Sequence, residues 1–384
     1  MTYDVRALRD SQFPITRQVA YLDNGTFGPL PRTTVDAAAA CLRAQSEGPR
    51  LPVPWEAEVE RVRGLAARLV GCPAEDLAFL KSSAEGIGLV ALGLDWRPGD
   101  EVVVYEHEFP AGVLPWLSLA HLGVRVRFIR DRGRFRYDAG DIEELVGERT
   151  RVVCLALVDF GTGLRAPVER AAELCRARGA WLVVDATQAA GVLRVDVARL
   201  GCHLLVAHGY KFLLSGYGTA LCYVHPDLRA RLRVPEPGWK TLLDSDPTLA
   251  IDYARVEYAD GARRFEPGIP GLTSIVGMGA SIQLMLDLGP DAIERRALDL
   301  TAAAADALTG RGCRVVSSRR EAERSTILSV LRDGVEPVRM EAALRAAGVV
   351  AAVRQGRLRL SLHGYNDESD LDRLLAALPA QAAK

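Results

Sequence analysis

The sequence predicts an α/β protein with a large domain built on a seven-stranded, mostly parallel sheet and a smaller α+β domain. Three observations carry this. Short β-branched runs alternate with helix-like stretches through the first two-thirds of the 384 residues, the mark of strands joined by crossover helices. Two of the runs, Val152-Val153-Cys154-Leu155-Ala156-Leu157-Val158 and Trp181-Leu182-Val183-Val184, are apolar at consecutive positions, as strands covered on both faces require. After Phe265 the segment Glu266-Pro267-Gly268-Ile269-Pro270-Gly271 breaks the pattern with two prolines and two glycines, a loop or interdomain turn.

Taken in order, strands are expected at 77–80, 101–105, 124–129, 151–158, 180–185, 203–207 and 219–224. A long helix-like stretch starts at Ser274. Beyond it, helices at 294–308, 337–347 and 371–378 alternate with strands at 326–330, 349–353 and 358–361. The expected large domain is 20–265, and 1–19 with 266–384 form the small one. In a sheet of this kind the ligand crevice lies outside the carboxyl ends of the strands, so chemistry is sought there.

Composition narrows the function classes. The balance of 48 basic against 49 acidic residues gives a net charge of −1, which argues against nucleic acid or an anionic membrane as the main partner. The seven cysteines are odd in number, scattered and never spaced as CxxC, so neither a disulfide framework nor a Cys-rich metal site is expected, and a reducing cytoplasm fits. The N-terminus MTYDVRALRDSQFPITRQ carries charges throughout and lacks the apolar core of a signal peptide. No stretch approaches the roughly 20 apolar residues needed to span a bilayer. Only four of the 48 basic residues are lysines: Lys81, Lys211, Lys240 and Lys384. Codon bias accounts for that scarcity, yet a lysine kept inside such a chain is a candidate for amine chemistry that a guanidinium cannot perform.

Asp185 closes the apolar run that starts at Trp181, and Lys211 follows the run 203–207 through His208-Gly209-Tyr210. Each alone has a plain reading, a turn or helix cap for the Asp and a solvated loop residue for the Lys. Together, at the carboxyl ends of two strands, they suggest one chemistry. A Lys amine forms a Schiff base with an aldehyde cofactor, and an Asp facing a pyridine nitrogen keeps it protonated, so that the ring draws electrons from a substrate carbon. Pyridoxal 5'-phosphate (PLP) needs this pair.

At these residues the sequence resembles the class V aminotransferase family of fold-type-I PLP enzymes, which includes cysteine desulfurases, kynureninases and isopenicillin-N-epimerase-like proteins. VVDATQAAGVLRVDVARLG is similar to the family's Asp-Ala-x-Gln-x-x-Gly segment, and HGYKFLLSGYGTALCYV to its Lys segment. The likeness runs from Tyr21-Leu22-Asp23-Asn24 to Arg359-Leu360-Ser361 and Tyr365-Asn366. It implies Lys211 as Schiff-base residue and catalytic base, Asp185 as pyridinium partner, Gln188 as donor to the phenolate oxygen and Phe109 as the residue stacked on the ring. It places phosphate binding at the small-residue turn Ser82-Ser83-Ala84-Glu85-Gly86, where a helix N-terminus favours an anion, with His208 and Tyr210 as flanking donors. Arg359 matches the arginine that clamps the substrate carboxylate, with Asn24 beside it in the substrate site. A homodimer is implied as well.

Departures from the pattern are informative. Ala84 and Ile269 stand where relatives carry phosphate-binding hydroxyls, the second supplied across the dimer, so the cross-subunit contact is in question. The stretch Ala347-Gly348-Val349-Val350-Ala351-Ala352-Val353-Arg354-Gln355-Gly356-Arg357 has no Cys, where desulfurases carry their persulfide-forming one. The resemblance therefore implies an enzyme acting on the amino group of an α-amino acid or derivative. Aminotransferase stands first; the alternative is a C–S β-lyase or decarboxylating deaminase on a cysteine-derived thioether, and a noncatalytic PLP-fold binding protein is a remoter one. A rival reading comes from Gly161-Thr162-Gly163-Leu164-Arg165-Ala166, which imitates a dinucleotide fingerprint, although Pro167 places the helix after the motif. The loops 24–30 and 234–259 carry no readable specificity code.

Overall fold

In the computed structural model, residues 3–48, 54–133, 135–244 and 253–379 are described; Lys384 and the stretch 245–252 of the expected pocket loop lie outside them. Seven strands form the large sheet: β1 (Leu77–Leu80), β2 (Glu101–Tyr105), β3 (Arg125–Ile129), β4 (Thr150–Ala156), β5 (Trp181–Asp185), β6 (Leu204–His208) and β7 (Ala220–Val224). Their spatial order is β1-β7-β6-β5-β4-β2-β3. All pairings from β6 to β3 are parallel, and β7 alone runs antiparallel to both its neighbours. The mostly parallel sheet is therefore as expected.

The consecutive apolar positions are explained by cover on both faces. Leu77, Val103, Val153, Leu182, Leu205 and Leu221 point into one apolar cluster, and Ala78, Val102, Val152, Val183, Leu204 and Cys222 into a second on the other side. Strand β4 ends at Ala156, two residues before the expected end, because the chain turns there. Val158 bridges Arg165, and Asp159 accepts from the backbone N–H groups of Gly161 and Thr162. The glycines of the dinucleotide-like motif thus belong to a tight turn, and the next helix begins only at Val168. A fingerprint in which the helix opens inside the glycines is absent here.

The small sheet is antiparallel, in the order β10-β11-β9-β8, from β8 (Cys313–Val315), β9 (Ile327–Arg332), β10 (Ala352–Arg354) and β11 (Arg357–Ser361). The expected strand at 349–353 divides: Val349–Val350 pairs in parallel with Ala20–Tyr21, and β10 turns to β11. Ala20 and Leu22 consequently pack with the small-domain core. Conversely, Ile275, Met278, Ile282 and Met285 of the helix Leu272–Leu288, expected with the small domain, share the large apolar cluster. No single helix among the described residues is long and apolar enough to cross a membrane.

The loop at 266–271 is fixed at its start by a buried ion pair. Glu266 accepts two guanidinium bonds from Arg63 (2.6 and 3.1 Å) and the Phe79 N–H (2.7 Å) of β1. Without Glu266 the buried Arg63 keeps Glu60 (3.1 Å) and Leu77 O (2.8 Å), but the Phe79 N–H loses its acceptor. Glu266→Ala is expected to lower unfolding free energy by about 1–3 kcal/mol, seen as an earlier urea midpoint; an unchanged midpoint would show the pair to be dispensable.

Candidate active site

Every chemically relevant loop leaves the same edge of the large sheet. Asp185 is the last residue of β5 and lies between Ala156 of β4 and Val206 of β6. Just past the strand ends come Ser83 after β1, Phe109 after β2, Thr187 and Gln188 after β5, and Tyr210 and Lys211 after β6. Ser83, Phe109, Asp185, Gln188, His208, Tyr210 and Lys211 line one narrow cavity open to solvent, together with Glu108, Ala156, Val158, Phe160 and Thr187.

The backbone bearing Lys211 is held from two sides. Gly209 N–H donates to Thr219 O (2.8 Å), and Tyr210 O accepts from Gly28 N–H (2.8 Å). The approach is close enough that a Cβ on Gly28 would lie 2.3 Å from Lys211 O, so the N-terminal loop fits against this turn only as glycine.

Lys211 is buried, and loss of solvent pulls its amine down to about 8 from 10.5. Asp185 opposes the drop, while Arg359 and Arg354 add to it. Its Nζ sits 5.3 Å from the Phe109 ring centre and 5.8 Å from that of Tyr210. Asp185 is pushed up by burial; the Thr187 hydroxyl and N–H (2.8 Å), Lys211 and the Ser83 hydroxyl hold it back. A buried amine and a buried carboxylate thus face one cavity with each steadying the other's charge.

Around them are donors and acceptors with capacity to spare. Gln188 gives one amide hydrogen to Gly25 O (3.1 Å), keeps a second, and leaves Oε1 unpartnered. His208 is held neutral by burial and the nearby Lys211, its pKa near 4, and its buried Nδ1 has no partner. Its ring meets Tyr210 edge-on at 4.3 Å, and Tyr210 stacks on Tyr217 at 5.0 Å. Phe109 is 42% exposed at the mouth and packs edge-on against Phe160.

Four residues singled out in the sequence stand apart from this lining. Ala84 is exposed and faces a neighbouring groove with Lys81 and Glu236. Asn24 is fully buried with its amide in use, its Nδ2 donating to Ser361 O (2.9 Å) and its Oδ1 accepting from the Tyr365 hydroxyl (2.8 Å). It braces the N-terminal loop against β11 and presents nothing to the cavity. Arg359, 1% exposed, donates to Phe160 O (2.9 Å), Asp23 (2.9 Å) and Thr26 (2.7 Å). Ile269 is exposed in a groove with Lys81 and Glu85, away from Lys211.

The structure adds residues that sequence reading passed over. Glu108 is half-buried in the lining, accepts the N–H groups of Phe109 (2.8 Å) and Ala156 (2.9 Å), and is pushed up to about 8 by loss of solvent and Asp159. Its adjacency to Phe109 was the available signal. Thr187 ties β5 to β6 by accepting the His208 N–H (3.1 Å). Among the described residues no cluster suited to a metal ion occurs.

Comparison with known proteins agrees with this arrangement. The family described as Aminotransferase class-V matches residues 20–374. A probable cysteine desulfurase of Pseudomonas aeruginosa is 30% identical over 391 residues, covering 94% of this chain and 93% of that protein. The apo structure of a cysteine desulfurase from Thermococcus onnurineus superposes with a TM-score of 0.89 at 24% identity, over 98% of both chains. A C-DES mutant with glycine covalently linked to its PLP cofactor gives 0.87 at 21% identity, again over 98% of both. The chain belongs to the class-V aminotransferase family, with the fold of the cysteine desulfurases.

The depressed amine is testable without substrate. Lys211 is protonated below about 8 and free above it, so acylation by an amine-selective reagent, followed by peptide mass spectrometry, is expected to rise at Lys211 with a midpoint near 8, below that of Lys81. Asp185→Asn removes the attraction that opposes the drop and moves this midpoint lower. A Lys211 profile that coincides with that of exposed Lys81 would contradict the assigned environment.

Proposed function

We propose that this class-V family member is a PLP-dependent enzyme that acts on the amino group of an α-amino acid or a derivative of one, foremost as an aminotransferase. The observation that carries the reading is the placement of Lys211 and Asp185 after neighbouring strands in one buried cavity, with the amine near 8. The donor set suits a phosphorylated pyridine. A buried carboxylate, an amine opposite it, a spare Gln188 N–H, a neutral His208 with a free Nδ1 and an aromatic ring at the mouth are all present. When bound, PLP supplies a ring that withdraws electrons from the substrate carbon.

The chain's residues divide the remaining work. Asp185 holds a proton on the ring nitrogen, for which a buried carboxylate fixed by Thr187 is well placed. Lys211 acts as the amine that secures the cofactor and, once free, takes and returns a proton at the substrate Cα. An amine near 8 is largely protonated in neutral water yet gives up its proton at small cost, as an acid–base group must. Gln188, through its second N–H, binds the phenolate oxygen, and Phe109 covers the ring. Ser83, His208 and Tyr210 supply side-chain contacts to the phosphate, and the Ala84 region supplies backbone N–H groups at the start of the helix Ser83–Gly93. A homodimer and a cytoplasmic setting belong to the same reading.

One observation favours a second outcome. No cysteine lines the cavity, and of the seven only Cys72 is not buried. A desulfurase that stores sulfur on its own thiol needs a cysteine beside its substrate, whereas release of a thiol from a cysteine-derived thioether needs none. β-elimination is accordingly the second reading.

Two experiments test these. PLP-loaded protein is expected to show a visible absorption band that Lys211→Ala abolishes; an identical spectrum in the variant would sink the Lys211 assignment. A panel of amino acids and thioethers, scored by mass spectrometry, separates the reactions: oxo acid with pyridoxamine phosphate marks transamination, and pyruvate with ammonia and thiol marks elimination. Cysteine is expected to leave no persulfide on any of the seven cysteines, and stoichiometric trapping of one would restore the desulfurase reading.

A further inference from the structure

The turn that carries Lys211 has four successive carbonyls, each held by a donor. Tyr210 O accepts from the Gly28 N–H (2.8 Å), Lys211 O from the Leu214 N–H (3.0 Å), Phe212 O from His363 Nε2 (3.1 Å) and Leu213 O from the Ser281 hydroxyl (2.6 Å). The Leu214 bond is internal to the turn, and Ser281 belongs to the helix Leu272–Leu288. The other two bonds lie on either side of Lys211, and both trace to one stretch of chain, from Ser361 at the end of β11 to Asn366. His363 makes one of them directly. The other comes through the N-terminal loop, which is laid along the same stretch. Ser361 O accepts from Asn24 Nδ2 (2.9 Å), Ser361 Oγ from the Gly25 N–H (2.8 Å), and Asn24 Oδ1 from the Tyr365 hydroxyl (2.8 Å). Gly28, at the far end of that loop, then reaches Tyr210.

The surroundings of His363 leave it one role. Its side chain is 4% exposed, and its Nδ1 accepts from the Gly364 N–H (2.8 Å), so the ring proton sits on Nε2 and is given to Phe212 O. Burial pushes its pKa down to about 4, which keeps the ring neutral and in this tautomer at neutral pH. A column of stacked rings fixes its plane: Phe212 lies at 6.1 Å on one side and Tyr365 at 5.5 Å on the other, with Phe13 stacked 4.2 Å beyond Tyr365. The carbonyl it serves is walled in as well. A Cβ on Gly191 would lie 2.2 Å from Phe212 O, so without His363 that oxygen would be left buried and unbonded, which is costly.

We propose that His363 is a positioning residue for Lys211: by holding Phe212 O from the small-sheet side it keeps the amine sealed in its cavity, and so ties the amine's environment to the seating of the stretch 361–366. The inference rests on Lys211 as the working amine. Its test needs no cofactor, so it and the cofactor reading can fail separately.

The readout is the pH midpoint of Lys211 acylation in three variants. His363→Phe keeps a ring in the stack but has no donor. His363→Asn can still take the Gly364 N–H but is too short to reach Phe212 O, whereas His363→Gln carries an amide N–H out to about the place of the ring's Nε2. The charged groups that act on Lys211, namely Asp185, Asp23, Arg359 and Arg354, are the same in all of them, so a moved midpoint reports water reaching the amine. The midpoint is expected to rise by about one pH unit in the Phe and Asn variants, toward that of an exposed amine, and to stay with the parent in the Gln variant. A folded Phe or Asn variant with the parental midpoint would overturn the proposal. So would a Gln variant displaced as far as the other two, because packing rather than the bond would then be at work. If substitution at this position unfolds the chain, the parent protein decides: nitrogen NMR of histidine-labelled protein is expected to find the His363 proton on Nε2, and a proton on Nδ1 would overturn the assignment.

Discussion

The cost of removing charge from water organises this molecule's site. Asp185 ends a strand that is covered on both faces, so its carboxylate has little access to water and is answered from within. The answer is local and built from one neighbour in each direction: Thr187, two residues on, bonds the carboxylate and also the strand beside it, and Lys211 faces it from the next loop. Each group keeps the other from losing its charge altogether. Without Asp185 the amine would fall further; without Lys211 the carboxylate would rise further.

That arrangement follows from topology more than from any one residue. In a parallel sheet all carboxyl ends lie on one edge, so groups distant in sequence become neighbours just by following their strands. β5 and β6 are adjacent, which is why Asp185 and Lys211 converge although 26 residues separate them. The antiparallel β7 serves a different purpose. Its entry through Thr219 supplies the carbonyl that fixes Gly209, and so the turn from which Lys211 projects.

The legible part of the site was the part that the strands dictate. An apolar run that stops at a charged residue is visible in sequence, and so Asp185 and Lys211 could be read, as could the segments around Gln188 and His208. Glu108 could not: its partners are backbone N–H groups, which leave no mark on composition. Asn24 was misleading in the opposite sense, because a polar residue in a loop near the site proved to be turned toward Ser361 and Tyr365. The division of 349–353 was likewise invisible, since it depends on a partner strand at Ala20–Tyr21.

The same physics bears on the two departures from the family's phosphate contacts. Ala84 and Ile269 offer no hydroxyl, and the nearest added cation, Lys81, is engaged by Glu85 (3.3 Å) and Glu236 (3.6 Å) on the outer side of the turn. Substitution of the lost donors by another full charge is thus not the solution built here. What stands in the cavity instead is neutral and directional: a His208 kept uncharged by burial and by the nearby Lys211, and a Tyr210 whose hydroxyl is held protonated by burial and by the neighbouring Tyr217. Neutral donors bind an anion without adding to the positive charge already gathered at Lys211, Arg354 and Arg359. A further cation there would drive the amine lower still and strip it of the proton it has to carry. As the proposed phosphate contacts, such neutral dipoles add no positive charge beside the amine near 8.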